Sequence, residues 1–209
     1  MEQDNIKMSS KDKRDIVIEA GIQAIPYVGG SIATLYFGWK QEIRFKRLES
    51  FYAEFAAEIE KMKDKIKAVN NQNNDALIAI IENLNEKVEK EPLKEKRQFL
   101  KNYLRSTLID PITNNFDERR FFLDVLGSMT LLECELLKFI NSQQGFIIVG
   151  KIELAGIDQY AIVGAVGMLK NYGFLTTAQM MISFGGDNSL NEQIQVSKFG
   201  KKFIEFCLI

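Results

Sequence analysis

The chain has 209 residues, a net charge of −1, 46% hydrophobic residues and 26% charged residues. This composition is ordinary for a soluble chain of one large or two small domains, and the balanced charge gives no overall field that would attract nucleic acid or anionic lipid. Histidine is absent, which excludes the commonest general base, the commonest metal ligand and every histidine-dependent triad. The two cysteines, Cys134 and Cys207, are far apart in sequence and fit a reducing cytoplasm.

Residues 20–39 contain no charged side chain, although charges flank them on both sides. Pro26, with Gly29 and Gly30 close behind, predicts a break in the helix, because proline removes a backbone donor and a glycine pair accepts a sharp turn. The segment is either a helical hairpin, buried or at an interface, or a membrane-spanning helix. Its modest hydrophobicity favours the hairpin, and the basic residues on both sides assign no orientation.

After this break, small residues recur every four positions at Gly30, Thr34 and Gly38. Such a ridge lets another helix approach closely, in lipid or in water. Tyr36 and Trp39 precede a basic stretch, which is the pattern of an interfacial aromatic belt. We therefore expect these five residues to contact a membrane or an oligomer partner.

The next segment carries the clearest periodic signal. Eight apolar residues alternate at spacings of three and four, which is a heptad seam. The seam consists of Phe45, Leu48, Tyr52, Phe55, Ile59, Met62, Ile66 and Val69. The spacing predicts one long helix over about 31–69, packed either in an antiparallel bundle within the chain or in an intermolecular coiled coil. The bulky aromatic side chains favour the bundle.

A polar N-N-Q-N-N turn follows at 70–74, and two further helices with apolar stripes are predicted before Pro111. The last of them should end there, because the residue before a proline avoids the helical conformation. We expect residues 1–112 to form an N-terminal bundle of long antiparallel helices.

The C-terminal third has a different pattern. It predicts two helices, a short strand at 146–149, a helix that begins at Asp158 and ends at Gly173, a β-hairpin and a final short helix. The expected fold class is therefore mainly α, with the N-terminal bundle followed by an α+β domain over 117–209.

The C-terminal arrangement resembles a winged-helix domain. Two short motifs carry the resemblance, one where the last long helix meets the hairpin and one after the hairpin. They are Leu169, Gly173, Phe174 and Leu175, and then Val196, Ser197 and Gly200. The resemblance implies a winged-helix-like fold and says little about function.

The N-terminal segment carries a second resemblance. Ile25, Pro26, Val28, Gly29 and Gly30 form an I-P-x-V-G-G motif ahead of a long helix and a compact C-terminal domain. This layout is similar to small prokaryotic proteins of the abortive-infection alpha type. The resemblance implies a role in antiphage defence without supplying a mechanism.

A winged helix usually reads DNA through its second helix and its wing. Here the helix at 158–173 has a single basic residue, Lys170, and the wing at 176–196 contains neither lysine nor arginine. DNA binding needs several phosphate contacts. The sequence therefore argues against nucleic acid and favours protein contact through this apolar, glycine-bearing helix.

The residues that could support catalysis have ordinary structural explanations. Gly164 and Gly167 lack the framing residues of nucleotide-binding loops, and the paired acids near 117 and 133 alternate with basic residues along helices. We find no catalytic residues, no metal ligands, no cofactor site and no small-molecule substrate site in this pattern. The expected protein is not an enzyme.

Together these patterns predict a non-catalytic, cytoplasmic prokaryotic defence protein that acts through a protein partner or a homo-oligomer. Residues 20–39 would associate conditionally with the inner face of the membrane. The alternatives are a soluble winged-helix adaptor and a transcriptional regulator.

Overall fold

The computed structural model describes residues 39–60, 74–110, 112, 114–178 and 188–209. These residues are mainly helical, with a small three-stranded antiparallel sheet near the C-terminus, which confirms the predicted fold class at this level. The described helices are α1 (Trp39–Glu60), α2 (Asn74–Lys90), α3 (Lys94–Ile109), α4 (Phe116–Ser128), α5 (Leu131–Ser142), α6 (Gln159–Asn171) and α7 (Lys198–Phe203). The strands are β1 (Ile147–Ile148), β2 (Leu175–Ala178) and β3 (Gln193–Val196).

The chain divides into two compact units, Met1–Asp124 and Val125–Ile209. In the first unit, helices α1, α2 and α3 pack against one another. Their facing stripes bury side chains that each stabilise the fold by about 1.5–3 kcal/mol relative to exposure. The buried set includes Leu48, Phe51, Phe55, Leu77, Ile80, Ile81, Leu84, Val88, Leu100 and Leu104. This unit therefore has an apolar core of its own.

The buried stripe of α2 differs from the spacing expected for it. The sequence predicts an apolar stripe on this helix made of Leu77, Ile78, Ile81, Leu84 and Val88. Ile78 is nevertheless 45% exposed, whereas Ile80 is only 1% exposed. Each residue advances about 100° around a helix. Ile78 therefore lies a quarter-turn or more from the line through Leu77, Leu84 and Val88, outside the packed face.

A buried hydrogen bond joins α1 to α2. The Tyr52 hydroxyl donates to Asn85 Oδ1 at 2.6 Å. Burial raises the pKa of Tyr52 well above its ordinary value, and this outweighs the opposite effect of the Asn85 hydrogen bond. The hydroxyl consequently keeps its proton and acts as a donor at physiological pH.

We expect Tyr52→Phe to lower the free energy of unfolding by about 1 kcal/mol, because the buried Asn85 oxygen loses its donor. Urea unfolding followed by circular dichroism measures the change. The double variant Tyr52→Phe with Asn85→Leu removes both polar partners and should recover part of the loss. An unchanged midpoint in the single variant would show that the bond contributes nothing to stability.

The end of α3 is linked to α4 through a buried arginine. The Arg119 side chain is almost fully buried and forms an ion pair with Asp110, the residue that follows α3. The Tyr103 hydroxyl donates to the Arg119 carbonyl oxygen at 2.9 Å. These contacts fix the start of α4 against α3, after the helix end predicted before Pro111.

In the second unit the sheet order is β1-β3-β2, with antiparallel neighbours throughout. Ile194 of the central strand pairs with Ile147 on one side and with Thr177 on the other. Helix α5 packs against α6 and β3. Thr130 begins α5 with a capping box, in which its side chain accepts from the Glu133 amide and Glu133 accepts from the Thr130 amide.

Hydrogen bonds hold the segment after β3 against the residues that precede β2. The Ser197 amide donates to the Phe174 carbonyl at 2.8 Å, and the Ser197 hydroxyl donates to the Gly173 carbonyl at 2.7 Å. The same hydroxyl accepts from the Gly200 amide at 2.9 Å and caps α7. A Cβ at Gly200 would lie 2.3 Å from the Phe174 carbonyl oxygen. Only glycine therefore fits this close approach of two backbones.

Candidate protein-binding surface

Helix α6 has well-defined ends. The Asp158 side chain accepts from the Tyr160 amide at 2.8 Å and caps the first turn. At the other end Gly173 has a φ of +75°, which favours glycine. The Gly173 amide donates to the Lys170 carbonyl and the Phe174 amide donates to the Leu169 carbonyl, which together form a Schellman motif. The predicted limits of this helix, Asp158 and Gly173, are confirmed.

One face of α6 is buried and the opposite face is open. Ile162, Ala165, Val166 and Leu169 pack into the core of the C-terminal unit. The other face carries the α6 stripe, which we define as Ile157 just before the helix together with Tyr160, Gly164, Gly167 and Met168. The exposed fractions of Ile157, Tyr160 and Met168 are 40%, 59% and 41%. Large apolar side chains at helical spacing therefore face outward on this helix.

The two glycines of the α6 stripe are not required by packing among the residues that the structure describes. A Cβ at Gly164 or at Gly167 would have no heavy atom within 4 Å, apart from its chain neighbours and the backbone of the helix itself. Glycine inside a helix destabilises it by about 1 kcal/mol relative to alanine. The pair forms a shallow notch between Tyr160 and Met168, where the backbone of another chain could approach closely.

The α6 stripe is also electrically neutral. Lys170 is the only charged residue of α6, and its ammonium group lies 2.5 Å from Glu192 Oε1. Glu192 precedes β3, so an acid from the return limb of the predicted wing neutralises the one cation of the helix. Phosphate recognition needs cations that are available to the ligand. The surface is therefore better suited to an uncharged protein face than to DNA.

The predicted contact residues of the N-terminal segment fall mostly outside the described part of the chain. This applies to Gly30, Thr34, Tyr36 and Gly38, whereas Trp39 is the first residue of α1. None of the described helices is long and apolar enough to cross a bilayer. The assignment of residues 20–39 to membrane or oligomer contact stays a prediction.

The first half of the heptad seam lies on the packed face of α1. Leu48, Tyr52 and Phe55 are buried and Phe45 is partly buried. Ile59 belongs to α1, and Met62, Ile66 and Val69 fall outside the described residues, as does the remainder of the predicted helix over 31–69. The described half of the seam therefore packs against neighbouring helices of the same chain.

The described part of the N-terminal unit has two grooves lined by charged side chains. The larger, of about 490 Å³, lies between α2 and α4. Its Asp124 carboxylate accepts from Asn83 and lies 3.0 Å from the Lys87 ammonium, with Arg120 further away. Partial burial would raise the pKa of Asp124, but these hydrogen bonds and cations outweigh it and hold the pKa below its ordinary value. The Asp124 carboxylate is therefore already paired, and it links α2 to α4.

The smaller groove, of about 300 Å³, lies between α1 and α3. The buried Lys101 ammonium donates to Glu54 Oε2 at 2.6 Å and reaches Glu58 Oε1 at 3.5 Å. The hydrogen bond from Lys101 lowers the pKa of Glu54, aided by the positive charges of Lys101, Arg97 and Lys94 and opposed by partial burial. The Lys101 ammonium is therefore paired with carboxylates, and this cluster links α1 to α3 and does not offer a cation to a ligand.

The lowered pKa of Glu54 makes part of the stability dependent on pH. The folded form holds the proton less tightly than the unfolded form, so this contribution is complete above the unfolded pKa and is lost as the pH falls through the folded pKa. We expect Glu54→Gln to flatten the acid side of the stability curve, as measured by urea unfolding at a series of acidic pH values. Glu95→Gln, an exposed acid in the same groove, is the matched control. Identical curves for all three proteins would contradict the role of the Lys101 contact.

Within the described ranges, no group of three or more histidine, cysteine, aspartate or glutamate side chains could hold a metal ion. Both cysteines are buried. No family model, curated protein or solved structure matches the chain. The α6 stripe is therefore the surface whose geometry most directly indicates a use.

The exposed members of this stripe were not among the predicted contact residues. Ile157, Tyr160, Gly164 and Met168 follow spacings of three, four and four, which could have identified them. The same helix also carries Ile162, Val166 and Leu169, so its sequence is apolar on both faces. Periodicity alone does not say which apolar face the rest of the chain covers.

Proposed function

We propose that this chain is a non-catalytic prokaryotic defence protein of the abortive-infection-like kind, acting through protein–protein contact at the α6 stripe. The observation that carries the proposal is the exposed, neutral face of α6, with Tyr160 and Met168 on either side of two glycines that no contact among the described residues requires. Exposed apolar patches bordered by polar residues mark interaction sites. The defence role itself rests on the resemblance of the N-terminal motif.

The second part of the proposal is a winged-helix-like C-terminal domain, over about 117–209, that presents this surface. Its support is the order of α5, β1, α6, β2 and β3 and the antiparallel sheet with β3 in the centre. The hydrogen bonds of the Ser197 hydroxyl with the Gly173 carbonyl and the Gly200 amide hold the end of β3 close to the end of α6. In the proposed winged-helix-like domain α6 would correspond to the recognition helix.

A transcriptional regulator is the less favoured alternative. The Lys170–Glu192 ion pair removes the single cation of α6, and the sequence of the wing supplies none. We expect the chain to elute from immobilised duplex DNA at low salt. Retention that weakens steeply as salt is added would instead indicate phosphate contacts. A soluble adaptor uses the same α6 stripe and differs only in never contacting a membrane.

Conditional membrane association of residues 20–39 completes the proposal. Its support is the charge-free sequence, in which Gly30, Thr34 and Gly38 form a ridge beside Tyr36 and Trp39. Release of this segment from a protected position would expose an apolar helix that gains by inserting or associating. Flotation of the full chain with anionic and neutral liposomes tests this part. Failure to float with either composition would leave the adaptor alternative.

The defence function can be tested in bacteria that express the full chain and are challenged with a panel of phages. We expect fewer plaques with the wild-type chain, and loss of that protection with Tyr160→Ala, because the largest exposed side chain of the stripe is removed. Equal plaque numbers with and without the chain, for every phage tested, would contradict the defence role.

Phe121→Ala provides the matched control for this experiment. Phe121 is also an exposed aromatic residue, but it lies on α4 and outside the stripe. We expect this variant to protect as the wild type does. If both variants lose protection while both remain folded by circular dichroism, the effect does not depend on the α6 stripe.

A further inference from the structure

We draw no further inference here: the strongest candidate, the smaller groove between α1 and the start of α3, carries nothing because the buried Lys101 ammonium that lines it is already paired with Glu54, and a helix N-terminus alone does not indicate a ligand.

Discussion

Replacing Gly200 with alanine is expected to destabilise the C-terminal unit by about 3 kcal/mol, a large share of the roughly 5–15 kcal/mol that is usual for a folded domain. The new Cβ would lie 2.3 Å from the Phe174 carbonyl oxygen and 3.0 Å from the Phe174 Cα. These are backbone atoms, so no side-chain rotation relieves the clash. The backbone of α7 must move away, and this breaks the hydrogen bonds that Ser197 makes to Gly173 and Phe174.

The measurement is urea unfolding, combined with amide hydrogen exchange of β2 and β3. Alanine is the better helix former by about 1 kcal/mol, so a net loss of stability would report the clash alone. Gly167→Ala is the matched control, because a Cβ there meets nothing within 4 Å. If Gly200→Ala is as stable as the wild type, the close contact between α7 and Phe174 does not exist in solution.

The contacts of Ser197 and Gly200 with Gly173 and Phe174 show how far the sequence predicts the fold. The sequence singles out Gly173, Phe174, Ser197 and Gly200 only by their resemblance to winged-helix motifs, whereas capping chemistry alone predicts Asp158 and Gly173 at the ends of α6. Such signals are local, because a cap or a left-handed glycine acts on residues a few positions away. The contact between Gly200 and Phe174 spans 26 residues. It depends on the registration of β2 with β3, which periodicity does not give.

The candidate site was predictable only in part, for a related reason. The sequence identified α6 as apolar, glycine-bearing and short of cations, and hence unsuited to DNA. It did not show that Ile162 and Leu169 face the core while Tyr160 and Met168 face outward, because all four are compatible with burial. Nor did it show that Lys170 pairs with Glu192, 22 residues away. Burial and long-range ion pairs arise from tertiary packing, which a single periodic pattern does not specify.

The largest effect expected at the site itself comes from replacing both glycines of the stripe with alanine. Gly164→Ala with Gly167→Ala should raise the free energy of unfolding by about 2 kcal/mol, since each alanine favours the helix by about 1 kcal/mol and neither Cβ comes within 4 Å of a described atom outside the helix backbone and its chain neighbours. The same two methyl groups fill the notch and hold the backbone of a protein partner away. Protection against phage, measured by plaque counts, should therefore fall while stability rises.

Opposite changes in stability and in phage protection distinguish a contact surface from a poorly optimised helix. Ala161→Gly is the matched control, because Ala161 is exposed on the same helix and does not lie in the notch. It should lower stability by about 1 kcal/mol and leave a surface that still accepts a close approach. If the double alanine variant is more stable and also protects as well as the wild type, close approach of a partner at Gly164 and Gly167 plays no part in the function. If it is less stable, the space above the two glycines is occupied in solution by another part of the chain.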